Sequence, residues 1–241
     1  MKQSAVVFEA LPDFTTATEL ADRVFSQVEW LDGQLEHFRQ WVSEVGGRRL
    51  TWTGVRRLAA EIGIEVSGFF EGKPGLPDAQ MARRALLYLR SVLPDLAGIL
   101  LIRDQDDQPQ RRAGLKQACD DAPNAPPIVI GLAIPEREAW VLAGFVPLTE
   151  HERERLATER QTLGFDPCAQ SHRLTDGKND QGSRSPKRVL HALTAGDLER
   201  QRACWLAPRL EELCQRGQQN GLAAFVDEVR ERFIGVVSAP A

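Results

Sequence analysis

The chain has no CxxC pair, and its four cysteines, Cys119, Cys168, Cys204 and Cys214, are widely spaced. That excludes a zinc ribbon and gives no disulfide framework, so reduced thiols in a cytosolic protein are expected. Long apolar runs are missing too: no stretch reaches the roughly 18 apolar residues of a membrane-spanning helix. Nor does a basic segment followed by a long apolar one open the chain. The expectation is a cytoplasmic protein with no membrane partner. There is no excess of positive charge, since 30 Lys and Arg stand against 34 Asp and Glu. Any contact with nucleic acid must therefore be confined to part of the surface. Repeats, low-complexity segments and the GxxxxGK[ST] phosphate loop are all absent. What remains is a chain of 241 residues, 42% hydrophobic, enough for one large domain or for a core with a helical appendage.

The rest of the chain is organised around Gly98 to Asp107, GILLIRDQDD. Gly98 to Arg103 reads as a strand, and Leu100, Leu101 and Ile102 have no polar alternation, which suits a strand covered on both faces. Successive side chains on a strand point to opposite faces, so Asp104 and Asp106 leave its C-terminal end on the same side. Two carboxylates held together are costly unless a cation neutralises them. Hard oxygen ligands at a strand end point to Mg²⁺ or Mn²⁺. The same stretch also reads as an acidic turn before Pro109, with Asp107 capping a helix.

Strands and helices alternate on either side. Ser4 to Phe8 is an apolar run ending on Glu9, and a helix with Leu20, Val24, Phe25 and Val28 follows. Leu31 to Val45 carries Leu35, Phe38, Trp41, Val42 and Val45 at helical spacing and is expected as a helix or an insertion. Thr51 to Ile62 is a further helix, Ile64 to Phe70 a candidate second strand, and Ala79 to about Val92 a helix. Pro109 to about Ala118 is expected as a helix, Ile128 to Ala133 as a strand and Glu136 to Gly144 as a helix. Beyond Leu148 no strand is expected. Glu150 to Thr162 has alternating charge that suggests a solvated face. Leu163 to Ser185 is a long loop, Ser185-Pro186-Lys187 opens a helix, and two more follow at about Pro208 to Arg216 and Leu222 to Phe233. The fold class is α/β, a mainly parallel sheet flanked by helices, with a core over 1–147. A helical extension over 148–241 includes the 163–185 loop.

Carboxylates thus follow three strands: Glu9, then Asp104 and Asp106, then Glu136 and Glu138. Parallel strands bring such ends to one edge of a sheet. Metal-assisted chemistry on phosphates needs several oxygen ligands and often two ions about 4 Å apart. For each of these residues a plainer reading stands beside this one: an exposed strand end for Glu9, and first-turn acids favoured by the helix dipole for Glu136 and Glu138. Arg173, Lys178, Arg184, Lys187 and Arg188 outnumber Asp176 and Asp180, so this segment reads either as a track for a nucleic-acid backbone or as a solvated loop.

The order of a Glu after the first strand, a DxD after a later one and a further acidic motif resembles the Toprim superfamily. Glu138-Ala-Trp-Val-Leu and Ser185-Pro186-Lys187-Arg188-Val-Leu look most like the small stand-alone Toprim-like proteins of bacterial defence and mobile loci. The similarity runs over roughly Ser4 to Leu193, and Ala10 stands where the family has Gly. The resemblance implies a Toprim-like fold and puts Mg²⁺ or Mn²⁺ on Glu9, Asp104 and Asp106. It selects Glu138 rather than Glu136 for the third motif and assigns Lys187 to the charge on a scissile phosphate. Its implied activity is metal-dependent hydrolysis of DNA or RNA. Two other readings are a regulatory or binding subunit serving a separate ATPase, and a small-molecule phosphatase or phosphotransferase using the same metal site.

Overall fold

A computed structural model describes residues 1–31, 33–177 and 179–238. The chain divides into two compact units. One comprises Met1–Arg103, Gln108–Gly131 and Asp227–Ala241, the other Asp104–Asp107 and Leu132–Val226.

Strand β1 (Lys2–Val7) leads into helix α1 (Leu11–Phe25). Ala10 precedes α1 in ordinary extended backbone, φ −138°, so the departure from glycine there strains nothing. The 31–45 stretch is not one helix. It forms a single turn, α2 (Leu35–Phe38), then strand β2 (Arg39–Val42) and one arm of a hairpin, β3 (Glu44–Val45) with β4 (Arg48–Arg49). The strand prevails because Arg39 and Trp41, two residues apart, share a face and reach one acid on α1. Arg39 forks onto Asp22, and the Trp41 indole donates to the same carboxylate at 3.0 Å.

Helix α3 (Trp52–Glu61) follows, capped by Thr51, whose hydroxyl accepts from the Gly54 amide. The expected strand at 64–70 is absent. Only Phe69–Phe70 (β5) pairs, antiparallel, with Lys73–Pro74 (β6), and this hairpin stands outside the main sheet. Helix α4 (Ala79–Val92), strand β7 (Gly98–Asp104), helix α5 (Arg111–Asp120) and strand β8 (Ile128–Ala133) complete the α/β pattern.

The main sheet has the order β2-β1-β7-β8. β1 pairs in parallel with both neighbours, with Val7 beside Leu101. Ile99 donates to the Pro127 carbonyl and Gln105 to that of Ala133, a constant offset that makes β8 parallel as well. The apolar residues of β7 and β8 are buried, as expected for strands of a parallel sheet covered by helices. Gly98 is required by packing: a Cβ there would lie 2.6 Å from the Phe233 ring, which also stacks on Trp41.

The second unit is helical. α6 (Arg137–Ala143) is buried from Ala139 onward. Around it come α7 (Glu150–Leu163), a 3₁₀ turn at Ser171–Arg173, α8 (Pro186–Thr194), α9 (Leu198–Leu206) and α10 (Leu210–Arg216). Helix α11 (Leu222–Ser238) begins in this unit and from Asp227 onward belongs to the first. α9 was not expected. Only Cys204 and Trp205 on it are buried, so it lacks an apolar stripe, although Asp197 caps it on the Glu199 and Arg200 amides. Nor is α7 simply solvated: Glu152 and Glu159 are buried and paired with Arg200 and Arg188.

The buried Asn220 ties this unit together. Its amide donates to the Ala139 carbonyl at 2.8 Å and to Ser171 Oγ at 3.0 Å, while its side-chain oxygen accepts from the Leu222 amide. Its backbone carbonyl accepts from the Trp140 indole and the Ile134 amide.

Candidate functional site

In the second unit the acidic turn and the start of α6 are sewn together. Gln105 N–H donates to the Ala133 carbonyl at 2.7 Å, Asp106 N–H to that of Pro135 at 3.0 Å, and Arg137 N–H to Asp104 Oδ1 at 2.8 Å. These bonds bring the DxD and the third acidic motif into one place. Asp106 does not continue the strand. Its φ is +49°, a left-handed conformation that Asp tolerates better than most residues. The strand alternation expected to carry Asp104 and Asp106 to one side therefore stops at Asp104, and the turn presents Asp106 instead.

Glu136 caps α6 in extended backbone and is the buried acid of the pair, its side chain 4% exposed. Burial pushes its carboxyl up to about 7. Lys187 pulls in the other direction, and the nearby Glu138 and Asp106 add to the rise. Its Oε2 is buried without a hydrogen bond, and the Lys187 ammonium lies 3.6 Å from it. Gly177, in the long loop, backs onto the other oxygen, where a Cβ would lie 2.5 Å from Oε1. Glu138, which the Toprim resemblance selects, is instead held by the Arg137 guanidinium at 2.8 Å.

Lys187 sits in the first turn of α8. Pro186 opens that helix, and the Ser185 hydroxyl accepts from the Arg188 amide. Its ammonium reaches Asp180 at 3.5 Å and is half exposed. Partial burial works against its charge, but Glu136, Glu138 and Asp180 outweigh that and hold its pKa above the ordinary lysine value. The neighbouring basic residues are partly committed elsewhere. Arg188 forks onto Glu159 with two 2.7 Å bonds, and Arg173 stacks on Phe165. Lys178 lies outside the described residues.

Glu9 belongs to the first unit and follows β1. Arg103 lies 3.4 Å from its carboxylate and 3.2 Å from Asp78, and Arg111 pairs with the same Asp78. The Arg103 guanidinium also lies over the Trp52 ring, whose indole donates to the Ile102 carbonyl. Among the described residues, no group of three or more His, Cys, Asp and Glu is disposed to hold a metal ion. No described helix is long and apolar enough to cross a membrane.

Compared with protein-family models, curated proteins and solved structures, the chain matches none. Its chemistry has to be argued from its own residues. Two of these were hard to anticipate from the sequence: Glu136 as the buried acid, and Arg103 as the counter-ion of Glu9. A lone Arg inside an apolar strand, two residues after Leu101, was the available signal for the second.

Proposed function

We propose that this chain is a Mg²⁺- or Mn²⁺-dependent nuclease of Toprim-like fold that hydrolyses a phosphodiester at the acidic cluster of its second unit. The observation that carries this reading is the Glu136 carboxylate, buried among like charges with one oxygen unbonded beside a lysine. Carboxylates so arranged gain from a cation. Asp104, Asp106 and Glu136 do not form a three-acid cage, but Mg²⁺ keeps several waters and is usually held by one or two carboxylates, and the unbonded Oε2 makes Glu136 a better ligand than Glu138. Bound there, the ion would supply positive charge against the phosphate and lower the pKa of an attacking water.

The protein's own groups do the rest. The Arg137 amide fixes the direction of Asp104. Asp180 steadies the Lys187 ammonium, whose exposed end is free to approach a phosphate oxygen and offset the charge that grows on it. Glu9 is left out of this assignment because Arg103 faces it. That same ion pair is what favours the second reading, a partner-activated or regulatory subunit working with a separate ATPase, since an acid already neutralised by Arg has less to offer a metal.

The test is cleavage of labelled DNA and RNA with Mg²⁺ and with Mn²⁺ by the wild type, Asp104→Ala/Asp106→Ala, Glu136→Gln and Lys187→Ala, with folding followed by circular dichroism. Metal-dependent cleavage lost in all three folded variants is the expected result. No cleavage by the wild type, or cleavage that survives the substitutions, would move the assignment to the subunit reading.

A further inference from the structure

Arg56 and Arg57 on α3 and Arg84 on α4 line one cleft of about 570 Å³ in the first unit, with Glu65 the only carboxylate in its wall. Among the described residues, none of the three guanidiniums makes a hydrogen bond or an ion pair. Their neighbours behave differently. Arg83, next along α4, is taken by Asp121 and by the Ser67 and Phe69 carbonyls, and Arg48 is taken by Glu61. Three permanent charges left uncommitted around one cleft repel each other, and an anion in the cleft relieves that repulsion.

The lining narrows the choice of anion. Guanidinium forks match phosphate oxygens two at a time. No aromatic side chain lines the cleft, so there is no stacking platform for the base of a nucleotide or of a single strand. Several fixed charges without an aromatic anchor suit a repeating line of phosphates better than a protein segment, whose affinity comes from buried side-chain anchors.

We propose that this cleft docks the phosphate backbone of a nucleic-acid duplex without regard to sequence. The choice of occupant rests on the nuclease reading, but the cleft is in the other unit and can be tested separately.

The experiment is fluorescence anisotropy of a labelled random-sequence DNA duplex titrated with the full chain in EDTA over a range of salt concentrations. The triple variant Arg56→Gln/Arg57→Gln/Arg84→Gln is expected to bind at least tenfold more weakly. Its plot of log affinity against log salt should be shallower by about 2 to 3, since each phosphate contact contributes a slope of about 0.9. The matching Arg→Lys triple variant keeps the charge and is expected to retain most of the slope, while Arg153→Gln, which removes an exposed arginine paired with Glu150 in the other unit, binds as the wild type does. Wild-type affinity and slope in the Gln variant, or no duplex binding by the wild type, would overturn the proposal. So would tighter binding of polyglutamate than of the duplex, which would make the partner an acidic protein. Arginine-dependent binding in a chain that cuts nothing would uphold the cleft and reject the nuclease.

Discussion

The Lys187 ammonium stands 3.6 Å from the buried Glu136 carboxylate yet does not cancel the cost of burying it, and the carboxyl stays raised to about 7. Between the ordinary value of 4.5 and about 7, the folded chain keeps a proton that the unfolded chain has released. Stability therefore falls as pH rises through that window, and the loss is complete above it. The shift corresponds to about 3 kcal/mol. Urea denaturation between pH 5 and 8 is expected to show this decline in the wild type and to lose it in Glu136→Gln. An equal slope in both proteins would mean that Glu136 titrates normally.

Gly177→Ala drives a methyl group into Glu136 Oε1. The carboxylate or the loop must give way, at a cost of about 1–3 kcal/mol. Combining the substitution with Glu136→Ala removes the clash, so a double-mutant cycle by chemical denaturation is expected to show the two changes strongly non-additive.

Asn220→Ala strips partners from the Ala139 carbonyl, Ser171 and the Leu222 amide in a buried place. The expected loss is about 3 kcal/mol, seen as a lower melting temperature. Asn220→Ser, a smaller polar side chain, is expected to recover only part of it.

Asp22→Ala leaves the Arg39 guanidinium and the Trp41 indole without their shared acceptor. β2 is the edge strand it anchors, so faster amide exchange is expected over Arg39–Val42 while β7 stays protected. A global loss of about 1–3 kcal/mol should accompany it.

Three of the four strands were legible because continuous apolar runs have few other uses in a chain of this length: Ser4 to Val7, Gly98 to Arg103 and Ile128 to Ala133 all fall on the sheet. The fourth strand was not. Leu35, Phe38, Trp41 and Val42 fit a helix as well as anything local can, and the deciding partner, Asp22, is on another element. The acidic site was legible in its parts but not in its internal order. Glu136 and Glu138 look alike in sequence, and what separates them is burial against Gly177, which a distant loop supplies. α9 was lost for the opposite reason: with so little of it buried, only its Asp197 cap marked it.

Phe233, seated on Gly98 and Trp41, comes after the whole of the second unit in the chain. On a ribosome, β1, β2 and β7 emerge early but wait for their last aromatic side chain until residues 132–226 have been made. Synthesis runs at about 5–20 residues per second, so that wait lasts several seconds or more. Asn220 is made 13 residues before Phe233, so for about the last second of the wait the second unit can close on Asn220 while Gly98 still lacks its cover. The unit that begins first is thus the one that finishes last.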